Sequence, residues 1–455
     1  MMHKKNQKYS RLQKFMPVRL LIVFYLAAVV FSTLLLLLPI AYKDDVTIDF
    51  IDIIFTAVSA LSVTGLSTIS IIDTFNTTGM MLITIILHLG AVGVMAISTL
   101  VWLVIGKKIG LKERRLIMAD QNQTSFRGMV RLIKEIIILL LVVEGSAFII
   151  LGTYYLKYFA SPGEAFFNGY FTAISAISNA GFDLTNQSMI PYASDYFIQS
   201  IVMFLIIFGA IGFPVLIELK AFVLRNRQNR EIHRFSLFFK VTTVTFFALV
   251  IIGAIGIYLL DMQSFFRTAN WHETLFYALF QSVTTRSGGL STLDVSQLTE
   301  ANQLFISFLM FIGASPSSAG GGIRTTTFAL VLLFLITYVR GRHQVQLFNR
   351  EIHEEDLSKA LAVVLVAFTF MFISVLLISI VETFSLPQIL FEVTSAFGTV
   401  GLSLGITEQL TSFSKIILML LMFIGRVGII TFLFMFRPKK DQANFHYPKE
   451  RINIG

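Results

Sequence analysis

Four stretches of this chain repeat one design: FTAVSALSVTGLST, FTAISAISNAGFDL, LFQSVTTRSGGLST and FEVTSAFGTVGLSLG. Aligned on Phe55, Phe171, Leu279 and Phe391, each reaches a glycine ten positions later, at Gly65, Gly181, Gly289 and Gly401. These glycines stand about 110 residues apart. A unit that recurs four times needs four equivalent places in the fold, so the repeat constrains the architecture before any local propensity does. Each unit is a short apolar helix ended by glycine, set between hydrophobic runs long enough to cross a hydrocarbon core.

Composition agrees with those runs. The chain is 55% hydrophobic and 14% charged, whereas soluble domains carry about 25% charged residues. This reads as a polytopic all-α membrane protein. The absence of Cys excludes disulfides, thiolate catalysis and Cys-bearing metal sites. The basic start, MMHKKNQKYSRLQKFMPVR, precedes an apolar run too long for a signal peptide and without a small-residue cleavage site, so it is read as a retained first span.

The charge of +9 is arranged in clusters. Basic residues fill the N-terminal tail, the stretch from Lys107 to Arg131, the stretch from Arg225 to Arg234, the stretch from Arg340 to Arg350, and the tail from Arg437 to Arg451. The links between them are acidic or neutral, with Asp44, Asp45, Glu164, Asp195, Asp261, Glu273, Asp294, Glu382 and Glu408. By the positive-inside rule the basic clusters and both termini are cytoplasmic. Their partners are then anionic lipid headgroups rather than nucleic acid.

Each repeat is expected to be a spanning helix, a link, a short re-entrant helix, a glycine loop and a second spanning helix. The expected pairs of spans are 18–41 and 77–105, 129–157 and 192–224, 236–260 and 300–340, and 356–381 and 412–436. The short elements lie at 50–62, 164–177, 272–285 and 386–397. The corresponding units are 1–110, 111–230, 231–350 and 351–455. Eight spans agree with both termini on one side. Irregular backbone at membrane depth is tolerated only where protein buries it or where it lines a watery cavity. Four such loops about one axis define a pore. The third repeat departs from the pattern, because Gly313, Pro316, Gly320, Gly321 and Gly322 interrupt its second span, leaving an intramembrane loop over 313–327 that ends near Arg324.

The expected filter segments are SVTGLS, SNAGFD, RSGGLS and GTVGLS. Their ion-facing residues are Val63, Thr64 and Gly65; Asn179, Ala180 and Gly181; Ser287, Gly288 and Gly289; and Thr399, Val400 and Gly401. A ring of backbone carbonyls can replace the water around a potassium ion. Glycine supplies the backbone shape because it adopts positive φ without a Cβ clash. Only the fourth segment approaches TVGYG, so fewer well-formed ion sites are expected than in a potassium channel. Arg426, inside the last span, is costly at membrane depth. It is read as a positive barrier in the ion path or as half of a structural pair with Glu144. Arg324 is a second barrier or a snorkelling side chain. Arg286 is a brace behind its loop. His88 is an interhelical hydrogen-bonder rather than a metal ligand. The 45 Phe and 16 Met are packing and lipid-facing residues.

The four-loop plan, AISNAGF, TTRSGG, SAFGTVGL, GASPSSAGGGIRTTT and FIGRVG together resemble the Trk/Ktr/HKT superfamily of potassium transporters, and within it the membrane subunit of bacterial Ktr uptake systems. The resemblance runs over essentially the whole chain. It implies potassium uptake at the plasma membrane of a bacterium, commonly with sodium dependence. It implies a homodimer in which each protomer has its own pore, and a cytosolic ring of nucleotide-binding regulatory subunits docked on the inner face. It places the gate at 313–327. It requires no cofactor beyond the transported ion.

A secondary transporter of another cation or small solute is the alternative, since such folds also carry broken helices at the membrane midplane. Those repeats are often inverted, whereas all four here run in one orientation. An enzyme is disfavoured: HExxH and GxSxG are absent, and the HEED of 353–356 lacks a second His.

Overall fold

The structure is a computed structural model that describes residues 20, 22–44, 46–93, 129–224, 234–342, 344–436, 448 and 450. Most of the basic clusters expected at the cytoplasmic face lie outside the described residues.

The first repeat contains α1 (Ile22–Leu36), α2 (Phe50–Ser62), the single turn α3 (Ile71–Thr74) and α4 (Thr77–Val92). The second contains α5 (Met129–Tyr155), α6 (Pro162–Ser178), α7 (Tyr196–Ala210) and α8 (Phe213–Val223). The third contains α9 (Leu237–Asp261), α10 (Trp271–Thr284), α11 (Glu300–Phe311) and α12 (Thr325–Val339). A small hairpin, β1 (Gln346–Leu347) and β2 (Arg350–Glu351), leads to the fourth, with α13 (Glu354–Val381), α14 (Leu386–Gly398), α15 (Ser412–Val427) and α16 (Ile429–Phe436). The fold is an all-α membrane protein. Within α5, α9 and α13 lie apolar stretches long enough to cross a bilayer, and only 28% of each most apolar window is buried, which leaves the rest for lipid.

The short helices start where their sequences say they should. Pro162 and Pro387 sit in the first turns of α6 and α14, where a missing N–H costs nothing. Reciprocal capping boxes start α10 (Asn270 with Glu273) and α14 (Ser385 with Gln388).

The second spans differ from expectation. A single break in the third repeat was expected, but all four second helices stop. α4 ends at Gly93, α7 at Gly212 and α15 at Gly428, with φ of 92°, 100° and 90°. Residues 192–224 are therefore not one straight span: α7 and α8 meet at 107°. Nor is 412–436 continuous, and beyond Gly93 the expected span 77–105 leaves the described residues. The cause is a Gly-x-x-Gly pair, Gly90–Gly93, Gly209–Gly212 and Gly425–Gly428. The first glycine lets the helix touch the end of its own short helix: a Cβ there would collide with the carbonyl of Leu61, Ile177 or Phe397. The second takes a backbone conformation that L side chains avoid. In the third repeat the matching glycines, Gly313 and Gly322, are separated by eight residues instead of two. The intramembrane loop is an enlarged copy of a break common to all repeats.

At the other end of each repeat the start of the second helix is tied back to the end of the first. Asn76 caps α4 and donates to the carbonyls of Ile40 (2.8 Å) and Tyr42 (2.9 Å). Asp195 caps α7 and accepts from the hydroxyls of Tyr154 (2.9 Å) and Tyr158 (2.7 Å). Thr299 caps α11 and its N–H donates to Asp261 (3.1 Å). Thr411 caps α15 and donates to Glu382 through its N–H (2.9 Å) and hydroxyl (2.7 Å).

The repeats close on themselves. α6 packs on α4, α10 on α7, and α14 on α11, so each short helix rests on the second helix of the preceding repeat; α2 completes the circle by packing on α15.

Candidate ion-conducting site

The C-terminal ends of the four short helices converge, and their backbone changes hand there. Val63, Asn179 and Thr399 leave α2, α6 and α14 in the left-handed region, with φ of 57°, 58° and 47°. In the third repeat Thr285 stays right-handed and Ser287 takes the positive angle, 76°. Two residues after each comes the aligned glycine, with φ of 91° at Gly65, 72° at Gly181, 73° at Gly289 and 97° at Gly401. A β-branched residue such as Val63 or Thr399 is a true outlier at positive φ. Such strain persists only where the surroundings over-determine it, and both side chains are fully buried.

Between the two positive-φ positions sit Thr64, Ala180, Gly288 and Val400, one per repeat. A Cβ on Gly65 would strike the Ala180 carbonyl. One on Gly181 would meet the Cα of Gly289 at 2.8 Å and the Gly288 carbonyl oxygen at 3.4 Å. One on Gly289 would strike the Val400 carbonyl, and one on Gly401 the Thr64 carbonyl. Each glycine thus faces the next repeat, and the last faces the first: four glycines and four carbonyls close a ring. Hydrogen bonds behind the ring hold it. The N–H groups of Gly65 and Gly401 donate to Ser59 and Ser395, each at 3.1 Å. The hydroxyls of Ser175 and Thr284 donate to the carbonyls of Phe182 and Leu290, each at 2.5 Å.

One side of the ring opens into a cavity of about 520 Å³ that all four glycines line. Asp183, Asp294 and Glu408 line it too, and among the described residues no Lys or Arg does. A mouth of one charge sign raises the local concentration of the opposite ion.

The other side is covered by the loop of the third repeat. The Ser287 hydroxyl donates to the Thr399 carbonyl (2.7 Å) and accepts from the Gly321 N–H (3.3 Å). A Cβ on Gly320 would strike Ser287, and one on Gly321 would strike Thr399. The loop is anchored at the second repeat's break: Ser315 and Ala319 donate to the carbonyls of Ala210 and Gly209, each at 3.0 Å, and Ser317 accepts from Phe213 (2.9 Å). Pro316 presents its carbonyl toward Gly212, and Gly313 lies against Gly321 and Gly322.

Arg426 reaches across this layer. Its guanidinium donates to the Ala319 carbonyl of the loop and to the Gly90 and Ala91 carbonyls at the first repeat's break. The Arg426–Glu144 pair does not form; Glu144 instead meets His88 at 3.0 Å, so His88 is the interhelical hydrogen-bonder its position suggested. Arg324 folds back on the loop carbonyls of Gly320 and Ser315. Arg286 is fully buried and donates to the Leu309 carbonyl, behind its segment and outside the cavity lining.

Three features went unread in the sequence. The glycine breaks of repeats one, two and four are visible afterwards as recurring Gly-x-x-Gly. Lys415 and Asp52 form a largely buried ion pair at 2.7 Å, joining α15 to α2. Glu392 is a carboxylate 1% exposed within the apolar helix α14. A charge in an apolar stretch was the available signal for both.

The family model for TrkH, "Cation transport protein", matches residues 4–447. The chain is 51% identical to Ktr system potassium uptake protein D of Bacillus subtilis (strain 168) over 449 residues, covering 98% of this chain and 99% of that one. It is 34% identical to Ktr system potassium uptake protein B of the same organism, covering 99% of each, and 30% identical to the potassium/sodium uptake protein NtpJ of Enterococcus hirae, covering 96% and 97%. Its fold matches the crystal structure of the potassium transporter TrkH from Vibrio parahaemolyticus with a TM-score of 0.67 at 19% identity, over 91% of this chain and 84% of the other. With its closed ring of four glycine loops and this family match over nearly its full length, the chain belongs to the TrkH family of cation transport proteins.

Proposed function

We propose that this chain takes up potassium across a bacterial plasma membrane through the ring of Gly65, Gly181, Gly289 and Gly401. The single observation that supports it most is the closed alternation of four glycines with the carbonyls of Thr64, Ala180, Gly288 and Val400. A potassium ion sheds water only where oxygens of similar number and field replace it. The acidic mouth gathers cations, the ring strips and selects them, and the loop from Gly313 to Arg324 closes the path beneath. Arg426 holds that loop and adds a positive barrier. The units 1–110, 111–230, 231–350 and 351–455 each supply one quarter of the ring.

The names of the relatives support the cargo and a multi-component system. We read the chain as a homodimer with both termini cytoplasmic, opened by a cytosolic nucleotide-binding regulator. Sodium acts as a coupled or activating ion, in keeping with the name of the Enterococcus relative. The regulator's docking face would include the basic stretches 107–134 and 225–234, most of which lies outside the described residues. Charge reversal at Arg114 and Arg115 should reduce its co-purification; undiminished binding would assign those charges to anionic lipid.

The test is flux into proteoliposomes containing the purified chain, with potassium, rubidium and sodium compared. Potassium and rubidium should enter in preference to sodium. Uptake of a solute other than a monovalent cation, or indifference among the three ions, would favour a different transporter.

A further inference from the structure

The fourth loop differs from the other three in what stands behind it. Glu392 is 1% exposed and does not itself line the cavity. Its counterparts in the aligned repeats, Thr56, Thr172 and Phe280, carry no charge. One carboxylate oxygen accepts from the Ser403 hydroxyl (2.6 Å) and the Leu404 N–H (3.0 Å). The other accepts from the Thr407 hydroxyl (2.8 Å). All three donors lie on the strand of chain that leaves Gly401 and lines the mouth.

A buried carboxylate is expensive unless it is fully hydrogen-bonded. A tie between loop and helix does not need one. In the third repeat the neutral Gln281 accepts from the Ser291 hydroxyl at 3.0 Å and makes a comparable link. What the carboxylate adds is grip: two oxygens hold one backbone and two side-chain donors at once, and bonds to a charged acceptor are shorter and stronger than neutral ones. Gly401, two residues before Ser403, faces the Thr64 carbonyl and closes the ring between the fourth and first repeats.

We propose that Glu392 is a specificity-determining positioning residue, its carboxylate setting where the fourth glycine segment stands in the ring. This rests on the potassium-filter reading above. Glu392 touches no ion; it acts through Ser403, Leu404 and Thr407. Selection by a carbonyl ring depends on oxygens held within fractions of an ångström, so a loosened fourth segment should admit sodium.

The experiment compares potassium and sodium flux through the purified full chain in proteoliposomes. Glu392→Gln keeps the side-chain size and one acceptor oxygen but removes the charge. The potassium-to-sodium flux ratio should fall about tenfold, the factor for losing one charge-assisted hydrogen bond. Glu382→Gln is the control: that carboxylate accepts from Thr411 and Ser414, away from the ring, and its loss should leave the ratio unchanged. If Glu392→Gln scales both fluxes by the same factor, or alters neither, Glu392 is a structural staple and the proposal is overturned. Gly401→Ser, run alongside, separates the two ideas. An unchanged ratio in Gly401→Ser overturns the filter reading itself; a shifted ratio there with none in Glu392→Gln overturns only the role of Glu392. If Glu392→Gln is not recovered folded, Ser403→Ala and Thr407→Val each remove one donor. A smaller fall of the ratio in either supports the proposal, and no change in both overturns it.

Discussion

At the scale of single residues, the four glycines are where chemistry is least negotiable. Gly65 and Gly401 combine positive φ with a neighbouring carbonyl in the space a Cβ would take. Replacing either with Ser should displace the facing carbonyl and lower the potassium-to-sodium uptake ratio; equal relative uptake of the two ions in both variants would sink the ring assignment. Ahead of the first turn of α7, Asp195 carries a separate expectation. Burial pushes its carboxyl up, but hydrogen bonds from Tyr158, Tyr154 and the N–H groups of Ile198 and Phe197 outweigh it and hold the group below its ordinary value. A depressed carboxyl stabilises the fold above the unfolded value and loses that contribution as pH falls through the folded one. Asp195→Ala should therefore cost about 1–2 kcal/mol at neutral pH through the lost cap, with the gap to wild type narrowing in acid melts. A pH-independent gap would mean the charge is irrelevant. The glycines were legible because recurrence marks them; Glu392 was not, because a lone acid in an apolar stretch says that it needs partners without saying which.

At the scale of elements, the breaks of the second helices account for the loop of the third repeat. Three repeats break over two residues, and the third uses the same place to insert a longer loop that packs under the ring. Deleting Ser317 through Gly322 should raise regulator-independent potassium flux while selectivity is retained. A deletion variant that folds and conducts no faster would reduce the loop to a kink. Arg426→Ala should also raise flux, by freeing the Ala319 carbonyl and removing a charge from the path. Since both changes act on one contact, they should not add: Arg426→Ala should raise flux less in the deletion background than in the full chain. Full additivity would place Arg426 outside the gate. The short helices were readable to within a few residues, because capping residues and glycine stops are local signals. The breaks at Gly93, Gly212 and Gly428 were not, because glycine, even in pairs, is common in apolar helices at membrane depth.

At the scale of the molecule, closure of the ring rests on contacts between the ends of the chain. Lys415 of α15 and Asp52 of α2 are 9% and 13% exposed and meet at 2.7 Å, bridging the fourth repeat to the first. Breaking a buried pair by removing one partner costs about 3–5 kcal/mol, while replacing both with apolar residues is often neutral. Lys415→Met should destabilise the detergent-solubilised protein strongly, and adding Asp52→Leu should restore much of the loss. Two single variants that melt like wild type would show the pair to be dispensable to closure.

The sequence alone determined the class, the fourfold plan, the positions of the short helices and the four glycines, because each is written in local composition and spacing. It also placed the enlarged break of the third repeat. Only the tertiary structure decided which carbonyl each glycine faces, that Glu144 pairs with His88 while Arg426 holds the loop of the third repeat, and that Glu392 stands behind the fourth segment. Those choices follow from how each short helix packs on the second helix of the preceding repeat. Spacing along the chain cannot encode a neighbour from another repeat, since such contacts join residues from far apart in the chain and arise only when the ring closes.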